Sequence, residues 1–493
     1  MDSDRILVAG ATGYIGSLLL PRLRERGETV RCLARTPNKL EHLSDAQVEI
    51  VEANVLKRET LTPALRDVDT AYYLIHSMGA GGDFHERDIT GARNFAEAAD
   101  ETGVNRIIYL GGLARDEGTE LSEHLKSRQE VGRVLGSTGV PVTELRASII
   151  IGSGSASFEI IQDLVDKLPL MITPKWVQSR CEPIAVDDVL GYLEGCLDEP
   201  ETTGKTLEIG SGEVYTYADM MQVVAKMMGR SIYMIQVPVL TPRLSAYWLN
   251  LITSVPMQVA YPLVEGLRND SYCTDRRIKS LIPRELATFR EGLLKALNAG
   301  DGGRIESRWT AATRRADGEL ELDPDRVSDP LRDRQVIDTS ARAEDLYRIV
   351  SRIGGETGYY YADGLWRIRG LLDRLVGGPG LRRGRRDPVE LRAGDAVDFW
   401  RVEDVEAGRY IRFRSEMKLP GTAWLEFTIT PEPGKSAEFR QEATFAVTSF
   451  WGYVYWFLLL PVHLVIFRNM ARQIVHLAEE GGDQGDGSNT NDS

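Results

Sequence analysis

The run Arg5-Ile6-Leu7-Val8-Ala9-Gly10-Ala11-Thr12-Gly13-Tyr14-Ile15-Gly16 restricts this chain more than any other feature. Ile6 to Ala9 form a short apolar run suited to a strand covered on both faces. Gly10, Gly13 and Gly16 fall where a side chain would block a tight turn, an approaching pyrophosphate or helix–strand contact. The helix that follows aims its unpaired N–H groups and its positive dipole end at that phosphate. Strand, glycines and helix in this order predict a dinucleotide site built from Gly10, Ala11, Thr12, Gly13, Tyr14, Ile15 and Gly16. The bland alternative is a tight strand–helix turn with no ligand.

The next strand, Thr29 to Ala34, ends in Arg35, and no Asp or Glu occurs between Val30 and Asn38. An acidic residue there would bind the adenosine ribose and favour NAD, whereas arginine accommodates a 2′-phosphate. The expected cofactor is therefore NADP rather than NAD, with Lys39 as a helper, against the alternative of a solvated Arg35.

Strand and helix signals then alternate through the first half, the pattern of a doubly wound parallel sheet of the α/β class. Further strands are expected at Val48–Val51, Ala71–Ile75, Arg106–Leu110 and Val142–Leu145, with helices at Phe84–Thr102 and Leu121–Leu135. Ligands in such sheets sit beyond the carboxyl ends of the strands. That rule adds Asn54 and Val55 after the third strand, near adenine, and His76 with Ser77 and Met78 after the fourth, near the nicotinamide ribose. For His76 the alternative is a turn histidine bonded to backbone.

A chain of 493 residues exceeds one ordinary domain. Its net charge of −14 argues against nucleic acid as a partner, because phosphate binding needs a basic footprint. Four cysteines show neither metal-ligand spacing nor a disulfide pattern, so no metal is expected. The N-terminus enters the first strand at once, without a secretory signal, which reads as cytoplasmic. Residues 1–300 are expected to form the cofactor domain with a small substrate-side subdomain. Residues 301–334 read as a charged linker, 335–480 as a second domain of antiparallel strands, and 481–493 as a disordered acidic tail.

The first ~300 residues resemble the atypical and extended short-chain dehydrogenase/reductases. The resemblance rests on the Gly-x-x-Gly-x-x-Gly spacing, on Arg106-Ile107-Ile108-Tyr109-Leu110, on Glu144-Leu145-Arg146-Ala147 and on the segment Cys181 to Val189. It implies a Rossmann fold and NADP(H)-dependent oxidoreductase chemistry, with an apolar small molecule as the expected substrate. The last ~150 residues are similar to START-like helix-grip domains, an α+β fold that encloses apolar ligands between a curved sheet and a long final helix. Relatives with the usual chemistry carry a Ser after the fifth strand and a Tyr-x-x-x-Lys on the next helix, the tyrosine acting as acid/base. Here Gly111-Gly112 replace the serine, and His124-Leu125-Lys126-Ser127-Arg128 occupies the Tyr-x-x-x-Lys spacing. Asn54 stands where most relatives have Asp. His124 and Arg128 are the catalytic candidates, against the alternative of ordinary helix-surface residues. Without the usual pair, a non-catalytic dinucleotide-binding redox sensor or an apolar-ligand-binding protein is the competing expectation.

Ser449 to Phe467 carries no formal charge over nineteen residues, long enough for a membrane span. Arg468, Arg472, Pro461 and His463 argue against one. The START-like resemblance makes the segment the closing helix, apolar where it grips a cavity lined by Trp400, Trp424, Tyr453 and Trp456. Peripheral membrane contact through its aromatics, and with it membrane association, is the further expectation.

Overall fold

The computed structural model describes residues 5–76, 84–115, 121–237, 253, 255, 257–301, 307–311, 330–381, 385–432, 435–447 and 450–486. Ser77, Met78, residues 302–306 and 312–329 of the charged stretch, and 487–493 of the tail lie outside them. Two compact units divide at Ala316/Asp317.

In the first unit β1 (Arg5–Ala9), β2 (Thr29–Ala34), β3 (Val48–Glu52), β4 (Thr70–Tyr73), β5 (Arg106–Gly112), β6 (Val142–Ala147) and β7 (Thr206–Ile209) form one sheet. Their spatial order is β7-β6-β5-β4-β1-β2-β3, and every pairing is parallel. The order reverses between β1 and β4, which opens a crevice at their carboxyl ends. Helices α1 (Tyr14–Glu25), α2 (Phe84–Thr102), α3 (Glu123–Leu135), α4 (Ala156–Lys167), α5 (Val186–Asp198) and α6 (Met257–Gly266) surround it. Neighbouring tyrosines show how both sheet faces are buried. The Tyr72 hydroxyl donates to the Leu193 carbonyl of α5 at 2.8 Å, while Tyr73 packs edge-on against Phe95 of α2, centroids 5.0 Å apart. This is the doubly wound α/β arrangement that the sequence implies.

Gly16 is what lets α1 lie on β1. A Cβ there would overlap the carbonyl group of Gly10 and the Cα of Ala11, all rigid backbone. A second close approach surrounds Glu144, buried between β5 and α3: a Cβ on Gly111 would meet its Oε1 at 2.7 Å, and one on Gly132 would meet the carboxylate at 2.9 Å. Arg146 Nε and Nη2 donate to the two Glu144 oxygens at 2.9 and 3.0 Å, so the buried charge is paired.

The second unit is a six-stranded antiparallel sheet. Its strands are β8 (Leu331–Thr339), β9 (Ala396–Val397), β10 (Trp400–Glu406), β11 (Tyr410–Ser415), β12 (Gly421–Glu432) and β13 (Lys435–Val447), in the order β8-β13-β12-β11-β10-β9. Helices α7 (Ala343–Val350), α8 (Asp363–Leu375) and α9 (Phe450–Asp486) accompany it. Met470, Ala471, Ile474 and Ala478 of α9 are fully buried in one core with Phe427, Phe439 and Ala443 of the sheet. The Gln441 amide donates to the Phe467 carbonyl at 3.0 Å, fixing α9 on that face.

Several sequence expectations change here. Ser307–Ala311 belong to the first unit: Trp309 Nε1 donates to Glu159 Oε2 at 2.6 Å, and the Ser307 and Ser17 hydroxyls lie 2.5 Å apart. The first strand of the second unit begins at Leu331 rather than near Gln335. Helix α9 runs to Asp486, six residues into the expected disordered tail. The apolar half of α9 does not grip a cavity, because the buried part of the helix is the later one, from Ile466 onward. Trp400, Trp424, Tyr453 and Trp456 do not line one space either. Trp424 alternates away from Leu425 and Phe427, its indole N–H donating to Glu403 at 2.8 Å, and Tyr453 is exposed.

Gly16→Ala should destabilise the first unit by about 3 kcal/mol, because no side chain can give way. At roughly 2–4 °C per kcal/mol for a domain of this kind, calorimetry would show its melting transition fall by several degrees. An unchanged transition would mean that α1 and β1 are farther apart than drawn here.

Candidate active site at the strand ends

A cleft of about 400 Å³ opens at the carboxyl edge of the parallel sheet. One wall is the turn after β1. Gly10 has φ +97°, and a Cβ on it would come within 2.8 Å of the Leu74 carbonyl, so only glycine fits. Gly13 N–H closes the turn onto Gly10 O at 2.9 Å and is the N-cap of α1, with no side chain capping the helix. The N-terminal end of α1, whose dipole favours an anion, therefore opens on the cleft. Gly10, Thr12, Gly13, Tyr14 and Ile15 line the cleft. Ala11 and Gly16 do not: Ala11 is fully buried and Gly16 is spent on packing.

The other strand ends supply the remaining walls. Arg35, exposed at the end of β2, and Lys39 sit together on the rim. Asn54 and Val55 follow β3; the Asn54 side-chain carbonyl accepts the Leu56 N–H at 3.1 Å, an Asx turn that shapes the loop. Behind them lie His76, Asp88, His124 and Arg128. Among the described residues, the sequence-predicted ones apart from Ala11 and Gly16 thus line one cleft.

The histidines form a buried pair. His76 Nδ1 and Asp88 Oδ2 are 2.9 Å apart, and the His76 and His124 rings are 5.0 Å apart by centroid. Burial pushes His76 below the ordinary histidine value, against the opposite pull of Asp88. Burial pushes His124 well below it, with His76 and Arg128 adding to the effect. Both rings are therefore neutral near pH 7. With Asp88 as carboxylate, Nδ1 of His76 carries the hydrogen and Nε2 keeps a lone pair. Nε2 of His76 and Nδ1 of His124 are buried without a hydrogen-bond partner among the described residues, as a group awaiting a ligand would be. Arg128 donates to the Leu110 carbonyl and lies over the Tyr109 ring, 5.0 Å from its centroid, which fixes its head at the cleft.

Three contributors were not foreseen. Asp88 falls on the buried stripe of α2 with Gly91, Ala92, Phe95 and Ala99, and a carboxylate on such a stripe is the available signal that a partner exists. Trp309 lines the cleft from a stretch whose composition reads as linker. The third is a chamber of about 320 Å³ that shares Ser157 and Leu263 with the cleft. Ile160, Ile161, Leu164, Met171, Trp176 and Met221 are among its largely apolar lining.

Residues 10–162 match a family described as NAD(P)H-binding, and residues 329–470 match a family described as a protein of unknown function (DUF2867). Among curated proteins, the photosystem II assembly factor Ycf39 of Synechocystis sp. is 24% identical over 242 residues, 48% of this chain and 71% of its own length. The 40 kDa subunit of mitochondrial NADH-ubiquinone oxidoreductase of Neurospora crassa is 27% identical over 235 residues, covering 46% and 60%. The chloroplastic divinyl chlorophyllide a 8-vinyl-reductase of Zea mays is 23% identical over 251 residues, covering 48% and 62%. The matches thus span less than two thirds of the length of the latter two. Among solved structures, a nucleoside-diphosphate-sugar epimerase of Staphylococcus aureus aligns at a TM-score of 0.47 and 18% identity, over 59% of this chain and 99% of its own. The chain therefore carries an NAD(P)-binding Rossmann domain, joined to a C-terminal unit that matches a family of unknown function.

Proposed function

We propose that the first unit is an NADP(H)-dependent oxidoreductase acting on an apolar small molecule. The observation that carries this reading is the buried histidine pair, one nitrogen of each ring without a partner among the described residues, in a cleft that adjoins an apolar chamber through Ser157 and Leu263. The residues fit the cofactor: Gly10 and Gly13 leave a cradle beside the α1 N-terminus, and Arg35 with Lys39 offers two cations for a 2′-phosphate. Bound nicotinamide would supply or accept the hydride. His76 Nε2 takes the proton of a substrate hydroxyl on oxidation and returns it on reduction. Asp88 holds the tautomer that makes this lone pair available, as an orienting carboxylate does for other catalytic histidines. His124 borders the same space and is the second proton carrier, in place of the tyrosine that relatives use. Arg128 orients whatever lies between the histidines and the turn after β1.

We assign the handling of the apolar substrate to the second unit, a reading supported by a helix laid on an antiparallel sheet, as the START-like resemblance implies. Its sheet face is filled by Phe399, Phe427, Phe439 and the α9 side chains, so it presents rather than encloses. Sensing of the dinucleotide without turnover is the competing reading, favoured by the missing Tyr-x-x-x-Lys.

Fluorescence titration should show NADPH binding at least tenfold tighter than NADH. Arg35→Asp should weaken NADPH by about 10- to 100-fold, the range for a charged hydrogen bond worth about 1.5–3 kcal/mol, and leave NADH little changed. Equal affinities in both proteins would remove the NADP assignment. On a panel of apolar carbonyls and quinones, His76→Gln and His124→Gln should each lower turnover by roughly 10²- to 10⁴-fold while NADPH still binds. Tight binding with no turnover by the unaltered protein would leave the sensor reading standing instead.

The lowered histidine values also set a pH dependence of stability. Unfolding lets His76 and His124 return to the ordinary value of 6.5, so below that pH the unfolded chain binds more protons. Their contribution is fully present above about pH 6.5 and is lost as pH falls toward the folded values. His124→Gln should accordingly flatten the drop in Tm between about pH 7 and about pH 5. An unchanged slope would mean that His124 is not held neutral.

A further inference from the structure

Helix α8, absent from the sequence expectations, is amphipathic the wrong way round for a surface helix. Trp366, Gly370 and Asp373 face the second unit's core, while Leu365, Ile368, Leu371, Leu372 and Leu375 face outward, Leu375 being 67% exposed. The first half of α9 has the same character. Phe450, Trp451, Phe457, Leu458, Leu464 and Val465 are exposed, Leu458 by 75%. The two helices lie side by side: Arg369 of α8 donates to the Tyr455 hydroxyl of α9, and the Trp366 and Phe467 rings are 6.2 Å apart. An outward apolar surface of this extent marks an interaction site.

Charge identifies the occupant. From 363 to 386 the sequence carries seven arginines and two aspartates, in a chain of net charge −14. Arg367 on α8, Lys418 beside its carboxyl end, and Arg468 and Arg472 after the apolar half of α9 are all exposed. Lys418 is placed there by its backbone N–H, which donates to Asp373 at 2.8 Å. Among the described residues none of these four cations is ion-paired. Apolar helix faces rimmed by unpaired cations match the interface of a bilayer that contains anionic lipid, where side chains enter the acyl boundary and cations meet phosphates.

By length and composition alone Phe450–Glu480 could cross a membrane, but its attachment to the sheet and the shortness of its exposed apolar part argue against a span. Phe450–Val465 measures about 24 Å at about 1.5 Å per residue, short of a hydrocarbon core of about 30 Å. From Ile466 onward one face of the helix, with Met470, Ile474 and Ala478, is buried in the sheet core. Even the first half is tied down along one side: Trp456 stacks on Phe445 of β13, centroids 5.7 Å apart. We infer that α8 and the first half of α9 together form a membrane-docking face that lies in the plane of an anionic bilayer surface without crossing it. The inference stands on the second unit alone and does not depend on the redox reading of the first.

The test is co-sedimentation of the full chain with phosphatidylcholine vesicles, with and without phosphatidylglycerol. The chain should sediment with the anionic vesicles, more weakly as salt is raised, and alkaline carbonate should release it. The double variant Leu372→Asp/Leu458→Asp should lower the partition coefficient at least tenfold, since a buried leucine contributes more than the free energy of a factor of ten. Arg367→Ser/Arg468→Ser should lose the preference for phosphatidylglycerol. Both variants change exposed side chains, so NADPH titration and melting should match the parent and show that they are folded. The proposal is overturned if the parent sediments with neither vesicle, if the double aspartate variant binds like the parent, or if carbonate leaves the protein in the pellet. It is equally overturned if light scattering shows a dimer that the aspartates dissociate and that vesicles do not recruit, which would make the face a contact between copies.

Discussion

The backbone contact between Gly16 and Gly10 is the constraint on which the first unit depends. It brings the first turn of α1 against the end of β1, the strand beside which the sheet order reverses. Crevice and helix N-terminus therefore coincide, and the ends of β2, β3, β4 and β5 arrive around the same point because their strands are parallel and in register. A wider separation of α1 from β1 would leave the same strand ends facing a helix side instead of its N–H groups.

Much of this was legible in the chain. The glycine spacing, the apolar strands and the residues just beyond them placed Arg35, Asn54, Val55 and His76, and the family resemblance added His124 and Arg128; all line one cleft. These readings succeed because period, turn chemistry and topology are local or follow from a single rule for parallel sheets. What escaped depends on distance in sequence. Asp88 matters only because His76 is folded back upon it, and Trp309 only because Gly154 leaves room for the Ser307 carbonyl. Helix α8 escaped for a different reason. Its apolar stripe looks like any core-facing stripe, and only the folded unit shows that the stripe faces away. The same failure misassigned Ser449 to Phe467, whose apolar residues suggested a gripped cavity while the sheet is packed by the later part of the helix.

The altered catalytic positions also gain a physical reason. Gly111 stands in the serine region because Glu144 occupies the volume that a side chain there would need, and Gly132 on α3 gives way to the same carboxylate. The Glu144 carboxylate that fills this volume is held in place by Arg146. The cleft keeps two histidines whose charge is suppressed by burial.

Trp309 has a consequence of its own. The last described residues before the chain departs for the second unit form part of the cofactor cleft, held there by Glu159 and Ser17. Any molecule that touches the indole favours the docked segment by the free energy of that contact, and the docked segment favours the molecule by the same amount. A molecule bound against the indole would therefore stabilise the folded position of Ser307–Ala311 by the free energy of its own binding.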